Sequence, residues 1–474
     1  MLLEPGEQLL PLHLPLMHPG VAPKPPRVPV CGAPRKADIP ERKVLGSMEY
    51  DVIIAGGGPA GAAAAIAASS KGLSALVLEK AGRGRDKYCG GGVAVLARRY
   101  LAELGAREAE EAFEAWCEGH VLVLPGERVL VDAVKGLSYA MVRRRVFDAK
   151  LLEVAEASGV RVVEKARVER AEAGPEGVTV VDSRGERYTG RYLVVATGAG
   201  DKLPERLGFP GWRASDLGHC WGTEAPYDSE SQVAEWRRAY GFTPIFLMFG
   251  FVTYGYFWVF PKRGYMNVGM GTLLTESMRL RGKHSEAYSA GLELARKLRV
   301  LDRVDPFRVE KSALIPGHPR GWSKDRPRGT TWSTEKRALL VGDAAGFVHP
   351  LTGEGLSGAL GSGRLAAEAV KQALDAEDPS KLAAYEEAWW REFGRDMFEY
   401  GLRLAQILYS SPTVQKLGLL ALMADEKAVK LLSRLLYRAD TRCSEELHRY
   451  VVGRLPLLLL KTPLAGKKRS YSEL

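Results

Sequence analysis

Cysteine is scarce and badly placed for metal or disulfide chemistry. Five residues in 474 (Cys31, Cys89, Cys117, Cys220, Cys443) are odd in number, widely scattered and without a CxxC pair. That spacing suggests no zinc site, no disulfide framework and no iron–sulfur ligand set, and it fits a reducing cytoplasm. Long apolar runs are missing too: the longest are broken by Gly, Pro or charge, so no bilayer-spanning helix is expected and only peripheral membrane contact stays open. There is no recognised nucleic-acid motif and no concentrated basic run, so a nucleic-acid partner is not expected despite a formal net charge of +10. The charge suits an anionic partner such as a lipid surface, a phosphorylated substrate or an acidic electron-transfer protein, or is simply a basic surface. With 46% hydrophobic and 26% charged residues, the rest is an ordinary globular balance, long enough for two or three domains.

Residues 1–47 lack periodicity. Prolines recur from Pro5 to Pro40, and Gly46-Ser47 precedes Met48, a sensible initiator. The segment has neither the order of a secretory signal nor the composition of a transit helix, and is expected to be a disordered extension. From Met48 the pattern becomes regular. Residues 49–55 (EYDVIIA) form an apolar strand, a glycine turn leads into an Ala-rich helix over 61–71, and a second strand over 73–79 closes a βαβ unit. A Gly/Arg-rich loop, 81–92, and a helical stretch follow. Residues 120–131 predict a hairpin turning at Pro125-Gly126, 144–158 an amphipathic helix, and 160–195 further short strands. The aromatic and β-branched segment 216–310 predicts a separate sheet-containing domain. Residues 337–341 (RALLV) return as a strand to the first domain, 355–374 follow as a helix, and the chain beyond 378 is helical with a break at Pro412.

Gly56, Gly58 and Gly61 form a GxGxxG between strand and helix. The first permits the tight turn, the second lets a pyrophosphate approach the backbone, and the third lets helix and strand pack. Ala60 sits in the same turn, and the helix N-terminus points free N–H groups at the phosphates. Glu79 ends the next strand, where an acid accepts hydrogen bonds from the ribose hydroxyls. Far downstream, 342–360 (GDAAGFVHPLTGEGLSGAL) places Asp343 after a strand and Gly353 and Gly355 before a helix. An acid there suits a ribityl or ribose hydroxyl, and the turn presents N–H groups to an anionic reduced flavin. Together the two pieces predict one FAD site. Only one dinucleotide fingerprint is present, so the electrons are expected from an external donor, NAD(P)H or a ferredoxin.

These two motifs resemble flavoproteins of the para-hydroxybenzoate hydroxylase superfold. Tyr88-Cys89-Gly90-Gly91-Gly92 and Tyr256-Phe257-Trp258-Val259-Phe260-Pro261, followed by Gly269-Met270-Gly271, resemble the CGGG, YxWxFP and GxG segments of the geranylgeranyl reductase family over roughly residues 48–375. Two positions depart from the pattern: Thr253 stands where a proline is common, and Ala196-Thr197-Gly198-Ala199-Gly200-Asp201 replaces an ADGxxS stretch, which argues against an NADPH-using hydroxylase. The resemblance implies an α/β fold: a discontinuous Rossmann-type FAD-binding domain (48–215 and 311–375), an inserted substrate-binding sheet (216–310) and a C-terminal helical region (376–474).

It implies further that FAD reduces C=C bonds of a polyprenyl chain, carried by a prenylated lipid or a prenyl diphosphate. Cys89, Gly90 and Gly91 would approach the flavin. Cys89 would relay a proton, or be a structural cysteine in a tight loop. Arg144, in an RxxFD helix start, would contact the cofactor or be a solvated helix arginine. Tyr256, Trp258 and Phe260 alternate at strand spacing and share one face, either of a π-rich tunnel or of an ordinary core; in the tunnel, Tyr256 and Trp258 would take part in catalysis. Lys262 would meet a phosphate head group or sit on the surface. Residues 455–460 (LPLLLL), with Lys461, Lys467, Lys468 and Arg469 beyond, are either a lipid-facing segment or the last core-packing piece. A flavin monooxygenase or halogenase, and a non-catalytic electron-transfer flavoprotein, are the alternatives.

Overall fold

The computed structural model describes residues 49–124 and 128–465. The proline-rich extension, the Pro125-Gly126 turn and the basic residues 467–469 lie outside them. The strand Tyr50–Ala55 is apolar and buried from Val52 onward, as a strand covered on both faces must be, and it pairs in parallel with Ala75–Leu78 on one side and Arg187–Val195 on the other. The order across this sheet is Trp332–Ser333, Ala338–Leu340, Arg187–Val195, Tyr50–Ala55, Ala75–Leu78, Arg161–Val163; Val178–Asp182 also pairs with Arg187–Val195, and Val168–Ala173 pairs in turn with Val178–Asp182. The helix Pro59–Ser70 has Pro at its first turn and is buried on every side from Pro59 to Ala68. Small residues are needed there because the helix Leu356–Asp375 lies directly against it: a Cβ on Gly363 would meet the Ala60 carbonyl oxygen at 2.3 Å.

A second, seven-stranded sheet runs Lys311–Pro316, Leu217–Pro226, Tyr265–Leu273, Tyr256–Lys262, Pro244–Met248, Gly119–Leu124, Arg128–Ala133. It therefore takes in Gly119–Leu124, Arg128–Ala133 and Lys311–Pro316, outside the segment 216–310 expected for it. The hairpin strand Gly119–Leu124 pairs in parallel with Pro244–Met248, a long-range join that local periodicity cannot reveal. One face of this sheet packs Phe246, Phe257, Val259, Met266 and Val268 against Tyr288 and Leu292 of the helix His284–Lys297. The opposite face, with Leu122, Leu247 and Trp258, packs against C-terminal helical residues including Leu404, Leu419, Leu432 and Leu435. The helix Cys443–Ala465 carries residues 455–460. Among the described residues, no helix is long and apolar enough to cross a membrane.

Candidate active site

The glycine turn between the first strand and its helix is forced to be glycine. Gly56 adopts φ +107, its N–H donates to the Leu78 carbonyl at 2.8 Å, and a Cβ there would lie 2.5 Å from the Ala196 carbonyl oxygen. A Cβ on Gly61 would fall 1.9 Å from the Gly56 carbonyl oxygen, which is the helix–strand approach expected of the third glycine. Glu79 is 3% exposed and accepts hydrogen bonds from the N–H groups of Gly57 (2.6 Å) and Ala81 (2.9 Å). Each carboxylate oxygen keeps a second lone pair for a hydroxyl.

A cavity of about 680 Å³ opens from this turn. Gly56, Gly58, Ala60 and Glu79 line one end of it, together with the departing segment 196–201. Cationic side chains reach into the same end. Arg85 is held by Asp148 at 2.8 Å, and its Nη2 would lie 2.7 Å from a Cβ on Gly58, so the guanidinium stands over the bare backbone of the turn. Lys87 pairs with Asp343 at 2.6 Å. Burial pushes the Asp343 carboxyl up, but Lys87, and then Arg144 and Arg85, hold it below the ordinary carboxylate range. Arg144 is buried, not solvated: its guanidinium grips Asp148 through two hydrogen bonds of 2.7 and 2.9 Å and also interacts with Cys89. Gly353 and Gly355 line the cavity at the N-terminal end of the helix Leu356–Asp375, where Tyr256 donates its hydroxyl to the Thr352 carbonyl at 2.6 Å.

The other end of the cavity is aromatic and apolar. Tyr256, Trp258 and Phe260 line it, with Tyr139, Met141, Ile245, Leu247 and Leu436. The intervening Phe257 and Val259 face the core on the other side of the sheet, so the strand alternates as its spacing predicted. Cys89, Gly90 and Gly91 line the same cavity. The Gly91 N–H donates to Cys89 Sγ at 3.4 Å. Asn267 fixes this loop: its Oδ1 accepts from Trp258 Nε1 at 2.8 Å, and its Nδ2 donates to the Cys89 carbonyl at 3.1 Å and to Glu224 at 3.2 Å.

Lys262 does not line the cavity. Its side chain is fully buried beneath the glycine loop and ion-paired with Glu224, so a head-group contact is not assigned to it. The strand has passed under Gly91 by that point, although Lys262 shares its face with Tyr256. Arg85, Lys87, Asp148, Asn267 and Cys220 were missed from the sequence. The first two stood in the Gly/Arg-rich loop. Asn267 carried no signal beyond sitting two residues before Gly269. Cys220 lines the cavity with a thiol pushed up to about 12 by burial, with Cys89 adding to it.

A glycine turn, two acids, facing cations and a helix N-terminus on one cavity fit a dinucleotide flavin. A family model described as pyridine nucleotide-disulphide oxidoreductase matches residues 50–230. The chain is 30% identical to digeranylgeranylglycerophospholipid reductase 2 of Methanopyrus kandleri, spanning 81% of this chain and 92% of that protein. It is 32% identical to reductase 1 of the same organism, spanning 76% of this chain and 91% of its relative.

The chain belongs to the geranylgeranyl reductase family.

A solved structure of a geranylgeranyl bacteriochlorophyll reductase-like protein from Thermoplasma acidophilum has the same fold, with TM-score 0.67 at 20% identity, covering 88% of this chain and all (100%) of that one. This geranylgeranyl reductase family member is an FAD-dependent oxidoreductase. Gly56, Gly58 and Ala60 would hold the pyrophosphate, Glu79 the adenosine ribose, and Asp343 with residues 353–355 the flavin half.

Proposed function

We propose that the protein saturates C=C bonds of geranylgeranyl or related polyprenyl chains, on membrane ether-lipid precursors. The observation that carries this reading is one cavity lined both by the glycine turn and by the face of Tyr256, Trp258 and Phe260. Relatives named as digeranylgeranylglycerophospholipid reductases support the prenyl-lipid substrate.

FAD bound at this site would supply the hydride when reduced. The residues of the chain meet the remaining demand, which is charge control. An isolated C=C has no carbonyl to absorb electrons, so a proton must arrive first or with the hydride, and positive charge builds on the more substituted carbon. Trp258 stands among Tyr256, Phe260 and Tyr88 with ring centroids 6.1, 6.3 and 6.1 Å away, and such ring faces attract a developing cation. Cys89 is the proton donor in this reading. The Gly91 N–H donates to its sulfur, and the Arg144 guanidinium interacts with it. The apolar wall of Ile245, Leu247, Met141 and Leu436 keeps water from competing for the charge. The electrons come from an external donor, a ferredoxin or NAD(P)H. The protein works in the cytoplasm against a membrane surface, which the exposed Val452 and Leu457 of the helix Cys443–Ala465 would contact.

The test is anaerobic. FAD-loaded protein reduced with dithionite is given a geranylgeranyl-bearing lipid, and lipid mass is followed beside flavin reoxidation. A gain of two hydrogens per flavin turnover is expected. Reoxidation only by oxygen, with the lipid unchanged, would overturn the reading in favour of a monooxygenase.

A further inference from the structure

Behind the loop 349–355 lies a buried set of charged groups that the proposed reaction does not use. Asp396, in the π-helical stretch Trp390–Gly401, accepts hydrogen bonds from the N–H groups of Ser444 (2.8 Å) and Glu445 (2.9 Å) at the start of the helix Cys443–Ala465. A carboxylate there satisfies two free donors and complements the helix dipole. Its Oδ2 also accepts from Ser444 Oγ at 3.0 Å and from Arg438 Nη1 at 2.8 Å. Ser444 Oγ meets His349 Nε2 at 2.9 Å, and His349 Nδ1 accepts from the N–H groups of Leu351 and Thr352 at 3.3 Å each. With Nδ1 an acceptor, the imidazole proton sits on Nε2 and points at Ser444. Burial, with Arg438 adding to it, holds this histidine neutral.

Arg438 has more donors than Asp396 uses. It is 0% exposed, its Nε and Nη2 have no hydrogen-bond partner among the described residues, and its Nε lies 4.0 Å from Glu354 Oε2, which also has none. Glu354 gives its other oxygen to the Ser357 N–H at 2.8 Å and lines the cavity between Gly353 and Gly355. A buried cation with spare donors and a buried carboxylate with a spare oxygen are each costly alone and compensate one another when adjacent.

We propose that Arg438 is a positioning residue for the cofactor: it neutralises Glu354 and, through Asp396, Ser444 and His349, holds the loop 349–355 against the flavin. Reduction adds negative charge to a flavin. Burial pushes the Glu354 carboxyl up and Arg438 draws it back toward ionisation; an ionised Glu354 left without Arg438 at the N-terminal end of the helix Leu356–Asp375 would oppose that charge and cancel the field of the helix. Arg438 removes the opposition, so the C-terminal helices, which carry none of the cofactor motifs, set how easily the flavin is reduced. The inference needs bound FAD and no particular prenyl substrate, so it stands or falls apart from the lipid reading.

The test is the midpoint potential of FAD bound to the full-length holoenzyme, measured by dye equilibration for Arg438→Met, Glu354→Gln and the double variant. R438M is expected to shift the equilibrium about tenfold toward oxidised flavin, about 30 mV for a two-electron couple. E354Q is expected to shift it the opposite way, and the double variant to return close to the parent value. If R438M and E354Q change thermal stability but leave the potential at the parent value, the proposal is overturned and Arg438 is an ordinary structural ion pair. Should R438M not fold, E354Q decides alone: a raised potential supports the proposal and an unchanged one refutes it.

Discussion

Replacing Asn267 by leucine should loosen the cysteine–glycine loop by a calculable amount. Asn267 is 1% exposed, and its side chain is the hydrogen-bond acceptor for Trp258 Nε1 and a donor to the Cys89 carbonyl. Leucine is close in size and fills the space, so the loss is chiefly of hydrogen bonding. It strands a buried indole N–H and takes one donor from a loop carbonyl. Each buried orphan costs roughly 1–3 kcal/mol, so N267L should destabilise the protein by about 3 kcal/mol. Glu224 keeps its pairing with Lys262 and adds little. Trp258→Phe removes the indole donor and some ring contact, and should cost about 2 kcal/mol by itself. In the double variant no indole is left to strand, so the two costs should fall short of their sum by about 1–2 kcal/mol. The assay is equilibrium urea denaturation of the FAD-loaded proteins, read by far-UV circular dichroism and by flavin release. Additive effects, within about 0.5 kcal/mol, would refute the claim that Trp258 and Asn267 act as one unit.

Gly61→Ala places a methyl where 1.9 Å separates it from the Gly56 carbonyl oxygen, and should weaken FAD binding about tenfold or more by fluorescence titration; normal affinity would show that the turn can relax. Arg85→Ala should lower FAD affinity and flatten its salt dependence, since one facing cation is lost; an unchanged salt slope would remove Arg85 from the phosphate site. Asp343 has a depressed pKa in the fold, so its contribution to stability is fully present above about pH 4, its unfolded range, and fades as pH falls through the lower folded value. The stability gap between the parent and Asp343→Asn should therefore close on acidification below about pH 4, and a gap that widens there would reverse the sign assigned here. Tyr256→Phe should cost about 1 kcal/mol through the lost bond to Thr352, with a matching fall in flavin retention on dialysis.

The geometry of the glycine turn and of the acid beside it is legible because its signals are local. A turn that needs Gly56 and Gly61, and an acid at the end of the following strand, are spelled out within 24 residues, Gly56 to Glu79. The period-2 alternation through Tyr256, Trp258 and Phe260 was equally local, and the cavity face follows it. Lys262 shows where that logic stops: its parity was right, but parity does not say that another loop covers the strand at that point. The strand Gly119–Leu124 is evident from its local pattern, but the sheet it joins is not. Its partner, Pro244–Met248, is more than a hundred residues away, and no local pattern encodes that pairing. Leu436 and Arg438 were invisible for the same reason, since they reach the cavity and its loop only through the packing of the C-terminal helices.

The loop 349–355 is pinned at two adjacent links, Leu351 by the Tyr409 hydroxyl at 3.1 Å and Thr352 by the Tyr256 hydroxyl at 2.6 Å. Those two tyrosines belong to different layers, the C-terminal helices and the second sheet. A strap riveted on consecutive links to two separate frames has no slack to share. Adding or deleting one residue between His349 and Gly355 would misalign at least one rivet, so variation in chain length has to be absorbed elsewhere, in turns such as the one around residue 136 where nothing crowds the backbone.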